Sequence, residues 1–522
     1  MSKKYKTNIC ENKMTFQECE LAILRNAVDE TEKIHAGKIA NSEEVKKMIQ
    51  ILENFLISKR LVCYGGTAIN NILPVYAQFY NKDLEVPDYD FFSKNAIQDA
   101  KELANIYYKN GYKEVEAKSG VHHGTFKVFV NFIPMADITF LNPIIFDSLQ
   151  REAITVAGIK YAPPNYLRMA MYLELSRPAG DVSRWEKVLK RLTLLNTHYP
   201  LKPDMDCHTI DFQRGMENDS GNSEKLYFLV RDSLIEQGVV FFGGFASTMY
   251  SKYMPKQQQM LLKHVPDFDV LAEDPQRTAM IVKEKLLEAG FKDVKTILHS
   301  AIGEIIPMNV EVMVGRETMA FIYEPVACHN YNVIQLGQSK INIATIDTLL
   351  SFYLAFLYAD KPYLNKDRIL CMSKFMFDVQ EKNRLEQKGL LKRFSINCYG
   401  KQATLESMRA EKTAKFAELA NKKDSEEYEM WFLKYSPAEN ERRRVGHVRP
   451  NGSASKVAAS NSQMTLLDKS LIFSKNAKPV SKSVSKKPRG GPKRKSRRYS
   501  GKVTVKRRPI GRRRPQNSFF RF

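Results

Sequence analysis

The chain has 522 residues, 43% of them hydrophobic and 27% charged. That is the composition of soluble globular proteins, at a length for about two to four domains. It excludes wholesale disorder, a collagen-like chain and a small disulfide scaffold. The net charge of +23 is unevenly placed. Lys475 to Phe522 holds 19 Lys and Arg and no Asp or Glu, which leaves 62 basic and 58 acidic residues before it. The body is nearly balanced and the tail is a polycation. A basic tail calls for a polyanionic partner and says nothing about the chemistry of the body.

The N-terminus, MSKKYKTNICENK, has no apolar core of a secretory signal. The longest apolar stretch, between Asp347 and Asp360, is shorter than the roughly 20 residues that span a bilayer. Both points lead to the expectation of a soluble intracellular protein with no membrane partner. Seven cysteines stand singly, without a CxxC pair, which argues against a zinc ribbon. They are expected to be reduced and mostly buried.

Along the chain, EEVKKMIQILENFLIS (43–58) carries apolar residues near helical spacing. A short apolar strand follows, then Gly65-Gly66-Thr67 and a second helical stretch. A glycine pair between strand and helix allows a tight turn and leaves N–H groups at a helix start, where anions bind. Thr67 adds a hydroxyl donor. The Lys and spacing of a Walker A loop are missing.

Asp88-Tyr89-Asp90 comes next, on a predicted strand. Residues i and i+2 of a strand share a face, so the two carboxylates converge. Like charges so close repel unless a cation lies between them, and oxygen ligands suit a divalent metal. Asp137, in ADIT on a later predicted strand, adds a third carboxylate. Three such groups suit two Mg²⁺ or Mn²⁺ ions. KVFVNFIPMADITF (127–140) reads as strands broken at Pro134. His122 and His123, beside glycines and with no third ligand at a useful spacing, read as loop residues.

SRWEKVLKRLTLLN (183–196) is an amphipathic helix. Trp185, Val188, Leu189, Leu192 and Leu195 make its apolar stripe, and Arg184, Lys187 and Arg191 share another face. That basic face is either solvated or set against a phosphate backbone. A polar linker (197–209) follows.

The set then repeats after about 179 residues. VVFFGGFASTMYSKYMP (239–255), VPDFDVLAED (265–274) and IIPMNVEVMV (305–314) follow the order of LVCYGGTAINNILP (61–74), VPDYDFFS (86–93) and FIPMADITF (132–140). Gly66 to Asp88 is 22 residues and Gly244 to Asp267 is 23. The chain therefore reads as two tandem copies of one α/β unit. The second copy has Phe245 after its glycines, which would cover a phosphate cradle; Glu311 is its candidate for a third carboxylate. The expected domains are residues 1–205, residues 206–444 as a degenerate copy, and residues 445–522 as a disordered polybasic tail. Tyr499, Phe519, Phe520 and Phe522 suit the tail to RNA or DNA, with nuclear import or solubilisation as its rival roles.

Glycine pair, Asp-x-Asp and third Asp together resemble the nucleotidyltransferase superfamily of the DNA polymerase β type. The longer interval between glycines and aspartates puts an inserted segment, about 75–85, at the edge of the site. More closely, YGGTAINNILP, PDYDFFS, ADIT and SRPAGDVSRWEKVLKRLTLLNTHYP resemble the poly(A) polymerase catalytic subunits of large cytoplasmic DNA viruses, the poxvirus type. The resemblance covers residues 50–200 well and 220–360 more loosely, and leaves out the tail. It implies a mixed α+β nucleotidyltransferase fold and ATP as substrate. It also implies an RNA 3′ end as acceptor and a site in the host cytoplasm and virion. It makes Asp88, Asp90 and Asp137 the metal carboxylates and Gly65, Gly66 and Thr67 the triphosphate turn. A processivity subunit is known for part of the family; the sequence does not decide between that and self-dimerisation. Two rivals stand beside this reading: another terminal nucleotidyltransferase, such as a uridylyltransferase, and a non-catalytic nucleic-acid-binding virion protein.

Overall fold

In each copy the glycine turn follows a three-residue strand buried in the middle of a sheet. The computed structural model describes residues 7–11, 13–81, 86–210, 223–259, 267–361 and 363–447. The polybasic tail lies outside them. In chain order the strands are β1 (Val62–Tyr64), β2 (Tyr89–Ser93), β3 (Val115–Ser119), β4 (Thr125–Val130), β5 (Ile133–Phe140), β6 (Ile154–Val156) and β7 (Ile159–Tyr161). Then come β8 (Val240–Phe242), β9 (Phe268–Leu271), β10 (Val294–His299), β11 (Asn309–Val314), β12 (Glu317–Tyr323), β13 (His329–Leu336), β14 (Ser339–Ala344), β15 (Cys398–Tyr399) and β16 (Lys434–Tyr435).

The helices are α1 (Phe16–Ala40), α2 (Glu43–Lys59), α3 (Gly65–Ile72), α4 (Ala96–Lys109), α5 (Pro143–Glu152), α6 (Pro164–Leu175), α7 (Trp185–His198) and α8 (Ser223–Glu236). They continue as α9 (Gly243–Tyr250), α10 (Lys256–Gln259), α11 (Pro275–Glu288), α12 (Ile346–Phe356), α13 (Lys366–Lys382), α14 (Leu405–Glu418), α15 (Glu426–Phe432) and α16 (Pro437–His447).

Two mixed sheets result, in the orders β16-β3-β4-β5-β2-β1-β7-β6 and β10-β11-β12-β9-β8-β14-β13-β15. Leaving out β16 and β15, the seven-strand orders superimpose. The directions agree as well: β1–β2 and β8–β9 are antiparallel, and β2–β5 and β9–β12 are parallel. Even the register irregularity recurs, at Val128/Phe129 in β4–β5 and at Val312/Met313 in β11–β12. This is the tandem α/β duplication that the repeated motifs predict.

The copies share a core. One continuous cluster of buried apolar side chains runs through both. The equivalent helices α6 and α12 pack on each other, with Tyr166 and Tyr358 edge to face at 5.5 Å. Beneath them the Arg393 guanidinium grips the fully buried Asp347 carboxylate through Nε at 2.8 Å and Nη2 at 2.8 Å.

Several local expectations are corrected. The break in 127–140 falls at Asn131–Phe132, both at positive φ, and Pro134 lies inside β5 beside the irregularity, where a missing N–H is tolerated. Six of the seven cysteines are not free thiols: Cys10–Cys19, Cys207–Cys371 and Cys328–Cys398 are bonded, and buried Cys63 is free. Pairing comes from tertiary proximity that single spacing does not reveal; Cys207–Cys371 pins the linker to α13. The chain from 404 to 447 does not stay with the second copy, although 206–444 reads as one unit in sequence. β16 adds to β3 with Lys434 opposite Lys118, and Lys101 reaches Glu429 at 2.7 Å, so this segment covers an edge of the first sheet. Among the described residues no helix is long and apolar enough to cross a membrane.

Candidate active site

Asp90 sits on β2 between two neighbours that the ladders fix. Tyr64 of β1 is across from it on one side and Asp137 of β5 on the other. Asp137 in turn faces Lys127 of β4, which bonds its carboxylate. A row Lys127–Asp137–Asp90–Tyr64 thus crosses four adjacent strands. Asp88 lies one step before β2, two residues from Asp90 and so on the same face. Asp88 is exposed at the mouth of the site; Asp90 and Asp137 are half-buried below it.

The proximity shows in the carboxyl groups. Burial, then the charges of Asp88 and Asp137, push Asp90 up to about 7, against the pull of Lys127 and Arg184. Asp88 is raised by desolvation and by Asp137, and is lowered by Lys127 and Lys187. Repulsion of this kind marks a site built for added positive charge. Among the described residues, no three His, Cys, Asp or Glu side chains converge as a ready-made cage for a metal ion. The donor set nonetheless fits a hard divalent cation: three carboxylates, oxygen only, on neighbouring strands. Asp137 is at present turned to an ammonium.

The glycine turn is fitted to this row. Gly65 has φ +73°, and a Cβ there would come within 2.6 Å of an Asp90 carboxylate oxygen. A Cβ on Gly66 would meet the Tyr80 hydroxyl at 2.4 Å and the Arg191 guanidinium at 2.9 Å. Position 65 therefore needs glycine for its backbone, whereas a side chain at Gly66 would displace the tips of Tyr80 and Arg191. No side chain caps the first turn of α3, so its N–H groups remain for an anion.

Thr67 does other work than sequence suggests. It is buried, and its hydroxyl donates to the Asp88 carbonyl at 2.6 Å. That bond ties the start of α3 to the start of β2. Next to it a cavity of about 470 Å³ runs beneath the Asp88–Tyr89 segment, walled by Glu53, Asn71, Tyr80 and Tyr161.

The basic face of α7 comes to the same place. Arg191 donates to the Tyr80 hydroxyl at 2.6 Å and stacks over Phe79. Lys187 and Arg184 are near enough to act on Asp88 and Asp90. Arg184 and Lys187 stay exposed on that face, and Arg191 is half-buried beside the glycine turn. Sequence reasoning missed Tyr80 and Lys127. Tyr80 belongs to the inserted segment, and the Asn70 side chain holds it by accepting from the Phe79 and Tyr80 N–H groups at 2.8 and 2.9 Å. Lys127 carried a signal: a charge alternating with buried Phe126, Val128 and Val130. His122 and His123 are exposed loop residues, with the His123 ring against Trp431.

The second copy has the same row with other residues. Asp269 of β9 faces Phe321 of β12, and Phe321 faces Glu311 of β11. Glu311 therefore does not stand where Asp137 does; it occupies the place of Lys127, and Phe321 takes that of Asp137. Glu311 accepts from Thr318 and is bonded to His299 at 2.9 Å. Phe245 is buried against Phe241 and Phe268. What is left beside Asp267 and Asp269 is a cavity of about 40 Å³ that Arg368 helps to line.

The family-model match falls in the first copy, and the likeness in fold extends over both. Residues 50–181 match the family described as poly(A) polymerase catalytic subunit. A protein of that description from African swine fever virus is 34% identical over 168 residues, which is 31% of this chain and 35% of that protein. One from Acanthamoeba polyphaga mimivirus is 31% identical over 166 residues, or 30% and 27% of the two chains. The chain thus matches about a third of the length of these curated relatives. The crystal structure of the Megavirus polyadenylate synthase shares the fold, with a TM-score of 0.68 over 87% of this chain and 95% of that one, at 17% identity.

Proposed function

We propose that this chain is a template-independent poly(A) polymerase, which adds AMP from ATP to the 3′ end of RNA and releases pyrophosphate. The observation that carries the reading is the row of Asp90 and Asp137, with Asp88 above it, set against an uncapped glycine turn in the copy that matches the family. Asp88, Asp90 and Asp137 are the residues that would hold two Mg²⁺ or Mn²⁺ ions. When bound, these would make the acceptor hydroxyl more acidic and offset charge on the leaving oxygens.

The chain's own residues do the positioning. N–H groups at Gly65 and Gly66 and the Arg191 guanidinium receive the triphosphate, and Thr67 keeps Asp88 in place from below. No nucleophilic side chain is required, because alignment and electrostatics carry the reaction. The basic tail tethers RNA through its phosphates and raises its local concentration. The proposed setting is the host cytoplasm and the virion, with either a second subunit for processivity or a self-dimer.

The test is extension of a labelled short RNA with each NTP supplied singly. Extension with ATP alone supports the reading. Extension with UTP keeps the site and replaces the substrate. No extension by folded protein, together with no metal-dependent ATP binding, moves the weight to a non-catalytic nucleic-acid-binding protein.

A further inference from the structure

We infer that Lys127 is the resident counter-cation of the carboxylate site and sets its affinity for divalent metal by competing for Asp137. The inference rests on the metal reading of the three carboxylates.

Three observations carry it. First, register leaves Lys127 no other place: it is directly across from Asp137, which is directly beside Asp90. Its ammonium bonds the one carboxylate that would complete a three-acid set. Second, the side chain is partly solvated, at 38% exposure, on a flexible four-carbon stem. It can give up Asp137 without breaking a buried contact. Third, the second copy replaces lysine and aspartate together. Glu311 and Phe321 stand at the two positions, so no carboxylate occupies the place of Asp137 and no lysine faces it. Between the two copies, then, Lys127 goes with the third carboxylate and not with the strand.

The physical logic is charge balance. Three carboxylates on neighbouring strands repel when no metal is present. An ammonium on one of them relieves that repulsion and keeps the strands in register. A metal ion entering the site takes over the role, and the lysine must let go. A neutral side chain at 127 then removes a competitor. A purely structural lysine would give the opposite pattern, in which its loss loosens the site and weakens metal binding.

The experiment is Mn²⁺ binding to the full chain by titration calorimetry or by the EPR signal of free Mn²⁺, without nucleotide or RNA. Lys127→Met is expected to bind Mn²⁺ at least tenfold more tightly than the natural protein, with Lys127→Gln as a second neutral variant if the first does not fold. Lys127→Arg, which keeps the charge, is expected within about threefold of the natural protein. Lys340→Met on β14, in the second sheet, is the control and leaves affinity unchanged. Equal or weaker binding by both neutral variants overturns the inference while sparing the metal site. No Mn²⁺ binding by the natural protein overturns the metal reading and the inference with it.

Discussion

Asp90 and Asp137 lie side by side on the parallel strands β2 and β5, in register and on one face. Two acids so placed cost stability even with Lys127 on Asp137, since burial and neighbouring charge hold Asp90 near 7. Its raised value means that, without metal, stability falls as pH rises from the ordinary carboxyl range through about 7. Asp90→Asn is expected to abolish nucleotide transfer and yet raise the melting temperature in EDTA at pH 8, by about 1 °C for each 1 kcal/mol of relieved repulsion in a shared core of this size. Scanning calorimetry with and without Mg²⁺ checks this. A lower melting temperature in EDTA would contradict it.

Gly66 has no room for a side chain. Gly66→Ala would drive a methyl group into the Tyr80 hydroxyl and the Arg191 guanidinium. Arg191 is expected to be displaced from the phosphate side, so KM for ATP rises tenfold or more. The fold survives, because Tyr80 and Arg191 are surface-side partners of the turn. Steady-state kinetics together with a far-UV spectrum separate these outcomes. An unchanged KM would remove Arg191 and the turn from the nucleotide site.

The buried pair Asp347–Arg393 joins α12 to the chain beyond α13, with Asp347 wholly inaccessible and Arg393 nearly so. Removing one partner strands the other charge in the core. Asp347→Ala is expected to cost about 3–5 kcal/mol. Asp347→Ala with Arg393→Met should recover part of that loss. Urea denaturation of the single and double variants measures both. A cost under about 1 kcal/mol for the single variant would mean that water reaches the pair.

His329 on β13 is buried against Phe352, and neither ring nitrogen has a hydrogen-bond partner among the described residues. Burial, helped by Arg177, pushes it down to about 3 from an ordinary 6.5. Below 6.5 the unfolded chain takes up a proton that the folded one refuses. Its contribution is therefore complete above pH 6.5 and is lost as pH falls toward 3, by up to about 1.4 kcal/mol per pH unit. His329→Leu is expected to flatten the stability profile between pH 6.5 and 4.5 by one proton. An unchanged slope in denaturant titrations would contradict this.

Much of the frame was legible in sequence because it depends on local chemistry. The glycine turn, the Asp88–Asp90 alternation and the apolar stripe of α7 are short-range patterns, and each appears where expected: Val188, Leu192 and Leu195 are buried. What sequence missed depends on which strands become neighbours. Glu311 looked like the third acid of the second copy because it follows a Pro-Met as Asp137 does, yet the ladder puts Phe321 in that place. Lys127 joined the site only through its register with Asp137. Thr67 had a hydroxyl to offer, and the Asp88 carbonyl claimed it. The helices between 404 and 447 returned to the first sheet because an open strand edge attracts pairing, a preference that composition does not express.

The central claim is that one copy reacts and the other supports it. The measurement that tests it most directly is ATP-dependent RNA extension by Asp90→Ala and Asp269→Ala, beside the natural protein, at matched folding. The first is expected to lose at least a thousandfold in rate. The second, whose aspartate faces Phe321 in a cavity of about 40 Å³, is expected to stay within a fewfold. Equal losses from both substitutions, or activity retained in Asp90→Ala, would contradict the single-site account.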